Sequence, residues 1–228
     1  MPNFIKLSIY KNIPNIVSIL GVVPLIVLFT EDGYQYIVPL IIFNNIMDDL
    51  DGILAAKLNV KSEFGARLDN VCDAISHTII VMVIGMHYGW ICGLVGLISV
   101  SAILIRSVSR LDHDVVKETG SPTNELIRHI LFAILLAAMF DFNPALLLIV
   151  IFVVHTITMF IKYPMPYMIR SQAKTASAIL LVNVSLITAW LIPFALPIIA
   201  GGFILTYLYS LLQIVFFNKI RPDNVQES

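Results

Sequence analysis

Eight times along this chain an apolar run comes close to the roughly 20 residues that a helix needs to cross the hydrocarbon of a bilayer. The runs cover residues 12–30, 36–57, 64–87, 90–111, 124–140, 143–162, 172–191 and 193–217. A segment inside lipid has to satisfy its backbone hydrogen bonds internally, which leaves few folds open to such a chain. The expectation is an all-α, polytopic membrane helical bundle of about eight transmembrane helices, forming one domain over residues 1–228. The connections are short and carry turn chemistry, as at Glu31-Asp32-Gly33, Asp141-Phe142-Asn143-Pro144, and Pro193 with Pro197. Residues 2–11 mix apolar and basic positions and read as a short helix at the membrane surface. The basic start resembles a secretory signal, but no small-residue cleavage site follows, so the first span is read as retained. Composition agrees, with 58% hydrophobic residues, 13% charged and a mean hydropathy of +0.90. Soluble domains carry about 25% charged residues.

Charge placement orients the bundle. With the N-terminus in the cytoplasm, the inward segments hold Lys6, Lys11, Lys57, Lys61, Arg67, Arg106, Arg110, Lys117, Arg128, Lys162, Arg170, Lys174, Lys219 and Arg221. These are all 14 Lys and Arg residues, whereas the outward connections hold only Glu31, Asp32 and Asp141. The positive-inside rule then gives an even number of spans with the N- and C-termini both cytoplasmic. Cys72 and Cys92 fall towards opposite faces and cannot pair, and two cysteines make neither a disulfide scaffold nor a zinc cage. The lipid bilayer is the expected partner, and no basic stripe or tail points to nucleic acid.

The second run ends and the third begins in a dense set of acids, 48-DDLDGILAAKLNVKSEFGARLDNVCD-73. On a helix Asp48 and Asp51 project to one side, and Gly52 and Ala55 continue that stripe with almost no side chain. Gly65, Asp69 and Asp73 repeat at intervals of four on the next helix. A short turn would bring the two stripes face to face. Carboxylates at this depth cost several kcal/mol each (roughly, by transfer scales) and repel one another, so the cluster calls for cations. Hard oxygen ligands without His or Cys suit magnesium, manganese or calcium. Paired divalent ions are a known device for phosphoryl chemistry. Solvated interfacial acids and an ion pathway are the competing readings. A transporter would keep its acids near the midplane on interrupted helices, whereas these crowd the cytoplasmic ends, which favours an enzyme.

These residues closely resemble the signature of the CDP-alcohol phosphotransferase family: Asp, two residues, Asp-Gly, two residues, Ala-Arg, about eight residues, Gly, three residues, Asp, three residues, Asp. Asp48, Asp51-Gly52, Ala55, Gly65, Asp69 and Asp73 match at the right spacing, and Ala56 stands where the family has arginine. Pro14-Asn15 and Ser18 are similar to the family's element beside the cytidine. The segment 62–76, the arginines Arg106 and Arg110, and Gly120-Ser121-Pro122-Thr123 are similar to integral-membrane phosphatidylserine synthases. The resemblance implies that Asp48, Asp51 and Asp69 hold two divalent ions, magnesium or manganese, against the diphosphate of CDP-diacylglycerol. It implies that Asp73 is both ligand and general base, accepting the proton of a small polar alcohol, L-serine favoured, as CMP leaves. Asn15, Ser18, Gly52, Ala55, Gly65, Arg106 and Arg110 are the implied substrate-binding residues, at the cytoplasmic face of what the resemblance favours as a homodimer. Glycerol phosphate, inositol phosphate and an archaeal ether-lipid donor stay open within the family, and a non-catalytic or transport protein that kept the metal site stays open outside it.

Other polar residues have plainer readings. Arg106 and Arg110 are either anion anchors or lipid-headgroup contacts that set topology. Arg67 is expected on the far side of its helix from Asp69. His77, one turn beyond Asp73, reads as a hydrogen-bonded histidine inside the bundle, with catalysis as the alternative, and His155 reads as structural. Glu125 and Arg128 are spaced to pair. Asp49, off the stripe, reads as exposed.

Overall fold

The computed structural model describes residues 2–110, 122–160, 169 and 175–217, with side chains over 10–110, 122–160, 169 and 175–213. Among these it is mostly helical, with no strand. The helices are α1 (Pro2–Val22), α2 (Ile37–Lys57), α3 (Glu63–His87), α4 (Trp90–Arg110), α5 (Pro122–Phe140), α6 (Ala145–Met159), α7 (Ala176–Leu191) and α8 (Leu196–Phe217). Short 3-10 turns at Val23–Phe29, Gly33–Tyr36 and Pro193–Ala195 link or extend them. The expected runs from 36 to 140 match α2–α5 to within two residues at each end. No break separates residues 2–11 from the first span, because Pro14 sits inside α1 without ending it. Instead α1 tightens to 3-10 geometry at Val23-Pro24, where the missing proline N–H interrupts the α ladder.

The polarity of the bundle is that of a membrane protein. Leu94, Ile98, Ile105 and Val108 on α4, Leu181 on α7 and Ile198 and Leu205 on α8 all point outward. Meanwhile Asn44, Asn45, Asp49, Asp51, His77, Glu125, Arg128 and Asn183 are buried. In water this arrangement would expose apolar surface without compensation and hide charge at a cost, whereas in lipid both are expected. Among the described residues, five helical stretches are long and apolar enough to span: Tyr10–Phe29, Glu63–His87, Trp90–Arg110, Pro122–Phe140 and Pro193–Gln213. The α2 helix has 21 residues but carries the acids, and α6 and α7 are shorter, at 15 and 16 residues. Close packing relies on small side chains. A Cβ on Gly85 of α3 would lie 3.1 Å from the Gly93 Cα of α4. Ser99 of α4 donates to the Phe152 carbonyl of α6 at 3.0 Å.

The connection between α2 and α3 is built to a fixed shape. The Asn59 N–H reaches the Ala56 carbonyl (3.2 Å) and the Val60 N–H reaches the Ala55 carbonyl (3.0 Å), the paired bonds of a Schellman motif. Asn59 takes the left-handed conformation this demands, with φ of 55°. Three residues on, the Ser62 hydroxyl caps α3 by accepting from the Gly65 N–H at 3.0 Å. The two acid-bearing helices are thus folded back on each other within five residues, 58–62. Cys72 and Cys92 are both buried and unbridged.

Candidate active site

Helices α2 and α3 bring the expected stripes together. Carboxylate oxygens of Asp48, Asp51 and Asp69 lie within 4.8 Å of one another. Asp51 is buried, and Asp48 and Asp69 are half-buried. Asp73 stands one turn further along α3, close enough to Asp48 and Asp69 for their charges to interact, but outside that tight trio. Three hard oxygen donors this close, with no nitrogen or sulfur ligand among them, suit a divalent cation of the magnesium or manganese kind. Neighbouring side chains aim the carboxylates. The Ser18 hydroxyl of α1 donates to Asp51 Oδ2, and also lies 3.2 Å from the Pro14 carbonyl. From α5 the Asn124 amide donates to Asp48 Oδ2 at 3.0 Å.

One cavity borders the cluster at Asp51 and Asp69, and a second borders Asp73. The first, of about 270 Å³, is lined by Pro14, Asn15, Ser18, Asp51, Gly52, Ala55, Lys61, Gly65 and Asp69, among others. A Cβ on Gly52 would meet nothing within 4 Å, so the glycine keeps this cavity open. A Cβ on Gly65 would come to 3.0 Å from Asn15 Oδ1 and 3.1 Å from Ser62 Oγ, so that glycine sets the approach of α1 to α3. The Asn15 amide donates to Asn12 Oδ1 at 2.9 Å. The second is only a crevice, of about 10 Å³, between α3, α4 and the start of α5, where Asn70, Asp73, His77, Arg106, Ser107, Arg110 and Thr123 form its wall. Arg106 is anchored there by a 3.1 Å bond from Nη1 to the Met159 carbonyl. Every substrate-site residue expected from the sequence therefore borders one cavity or the other.

Several readings change. Asp49 is not exposed: it is 3% accessible, and its Oδ2 accepts from Asn183 (2.7 Å) and Asn45 (3.3 Å). A helix presents three faces, and the one beside the acid stripe is packed here against α7. Arg128 and Glu125 do pair, as their spacing implied, but inside the bundle. Arg128 is 2% accessible, paired with Glu125 at 3.1 Å, and donates through Nε to Asn45 Oδ1 at 3.2 Å. His77 is buried as expected, but its Nδ1 has no hydrogen-bond partner among the described residues and it borders the cavity of Asp73. Arg67 does lie away from Asp69, exposed and paired with Glu63. His155 packs in the core, 2.8 Å from His129 and stacked on Tyr207. Lys6 has no described side chain, and Lys117, Gly120, Ser121, Lys162, Arg170, Lys174, Lys219 and Arg221 lie outside the described residues.

The family profile for CDP-alcohol phosphatidyltransferase matches residues 11–161, more than half of the chain. The chain belongs to the CDP-alcohol phosphatidyltransferase family. The matched span runs from the middle of α1 through α6 and so takes in the aspartate cluster and the lining of both cavities. Helices α7 and α8 fall outside it, including Asn183, which holds Asp49. Over 49 residues the chain is 41% identical to an uncharacterized protein of Aquifex aeolicus (strain VF5). That stretch is 22% of this chain and 25% of the relative, so the chain spans about a quarter of the protein it matches.

Two residues of this candidate site escape sequence reasoning. Asn124 opens an apolar run and carries no charge, so nothing local ties it to Asp48, 76 positions away. Lys61 counts only as a topology charge until the turn is seen to fold it onto the cavity wall.

Proposed function

We propose that this family member transfers a phosphatidyl group from CDP-diacylglycerol to the hydroxyl of a small polar alcohol, with L-serine favoured, giving phosphatidylserine and CMP. The observation that supports this reading is that the aspartates border two cavities of different character, one at Asp51 and Asp69 and the other at Asp73. The wider cavity, open at Gly52 and bordered by Asn15 and Ser18, suits the nucleotide diphosphate. The narrower one, with Arg106, Arg110 and Asn70 on its wall, suits an acceptor that carries an anionic group, since guanidinium forks match carboxylate and phosphate. Magnesium or manganese held by Asp48, Asp51 and Asp69, as a pair of ions in the full site, would offset charge on the diphosphate and on departing CMP.

Asp73 borders the acceptor cavity and serves as general base. It takes the hydroxyl proton while the acceptor oxygen bonds to the lipid-side phosphorus and the bond from that phosphorus to the CMP oxygen breaks. Arg106, fixed by the Met159 carbonyl, and Arg110 orient the acceptor. His77 Nδ1 offers it a further hydrogen bond. The gathering of Lys57, Lys61, Arg67, Arg106 and Arg110 at the end of the bundle that carries the site supports a cytoplasmic active site. Purified protein given CDP-diacylglycerol and a panel of labelled alcohols tests the reading. Serine should give lipid product and release CMP, and Asp73→Asn should stop it. Product from another alcohol but none from serine would overturn the acceptor assignment, and undiminished CMP release by Asp73→Asn would remove the general base.

A further inference from the structure

The wider cavity is walled by two carboxylates, Asp51 and Asp69, and by one cationic side chain, Lys61. The position of that lysine is not left to chance. The Schellman bonds that close α2 precede it, and Ser62, the next residue, caps α3. Its backbone is therefore set between two fixed points, at the edge of the cavity. Among the described residues Lys61 makes no hydrogen bond or ion pair, although Asp51 is on the same wall. Asp51 is buried and already accepts from Ser18, while Lys61 is exposed at the opening. A cation held at the mouth of an acidic cavity without an internal partner is placed for an anion that arrives with the ligand.

Charge balance gives that anion an identity. Four aspartates and two divalent ions cancel formally, so the two negative charges of a diphosphate diester remain to be met. Helix α2 brings no guanidinium to this wall, since position 56 is an exposed alanine. We propose that Lys61 binds the diphosphate of the nucleotide donor at the mouth of this cavity. The inference rests on the donor reading above and adds a binding residue to it. A solvated lysine that merely contacts lipid headgroups is the competing account.

CDP, which has the diphosphate but no lipid tails, separates the two. Its binding to the detergent-solubilised full chain is measured by calorimetry with manganese present, for wild type, Lys61→Gln, Lys61→Arg and the double variant Lys61→Gln with Ala56→Arg. Loss of one charge-assisted contact at a solvent-facing position should weaken CDP binding about tenfold in Lys61→Gln. The KM for CDP-diacylglycerol should rise by a similar factor, with the effect on KM and not on kcat. Lys61→Arg should keep most of the affinity, and a guanidinium at position 56 should restore part of it. Wild-type affinity in Lys61→Gln would overturn the inference. If wild type binds CDP through Lys61 yet releases no CMP from CDP-diacylglycerol, the transferase reading fails and this one stands. If wild type binds no CDP, both fail.

Discussion

Replacing Arg128 by methionine tests whether the buried polar network, and not apolar packing alone, holds α5 to α2. The guanidinium is 2% accessible, lies 3.1 Å from Glu125 Oε1 and donates to Asn45 Oδ1 at 3.2 Å. Breaking a buried pair by removing one partner costs about 3–5 kcal/mol, because a carboxylate stays behind without its counter-charge. In a bilayer the unfolded helices also find polar partners, which argues for the lower figure, about 3 kcal/mol. Removing both charges is much milder, so Arg128→Met with Glu125→Gln should recover at least half of the loss. The assay is SDS unfolding in mixed micelles, followed through Trp90 on α4 and Trp190 on α7. A single variant that loses less than about 1 kcal/mol, or a double variant as unstable as the single, would refute the reasoning.

Two glycines should respond in opposite ways. Gly52→Ala meets no neighbour within 4 Å and favours the helix by about 1 kcal/mol, so unfolding should be unimpaired while the methyl group obstructs the cavity and CDP binding falls. In Gly33→Ala the new Cβ would sit 2.1 Å from the Val27 carbonyl oxygen, and the same unfolding assay should show a loss of about 3 kcal/mol. Asn124→Ala removes the donor to Asp48 Oδ2, and manganese affinity read by electron paramagnetic resonance should fall about 10- to 100-fold. An unchanged manganese titration would show that Asn124 does not position Asp48.

The sequence was most informative where one helix or one turn decides the outcome. The spacing of Asp48, Asp51, Gly65 and Asp69 needs only helical periodicity and a tight connection to yield facing stripes, and the trio within 4.8 Å follows. The reading of Asp49 failed because its environment is made by Asn183, 134 positions away on α7. No periodicity in α2 distinguishes a face that meets water from one that meets another helix. The spacing of Glu125 and Arg128 gives their pairing, but not its burial, since Arg128 is also held by Asn45 of α2. The polar residues inside apolar runs, Asn44, Asn45 and Asn183, were the available sign that a buried network had to exist.

Helix α5 is set apart by its surroundings: 72% of its most apolar stretch is buried, against 28% for the last span and 33% for the first. Hydrophobic mismatch is therefore felt unequally across the bundle. When bilayer thickness changes, the outer helices meet the acyl chains and can answer by tilting, at a modest energy per ångström. The α5 helix has little contact with lipid through which to be pulled. The residue that steadies Asp48 thus stands on the part of the protein that registers its solvent least.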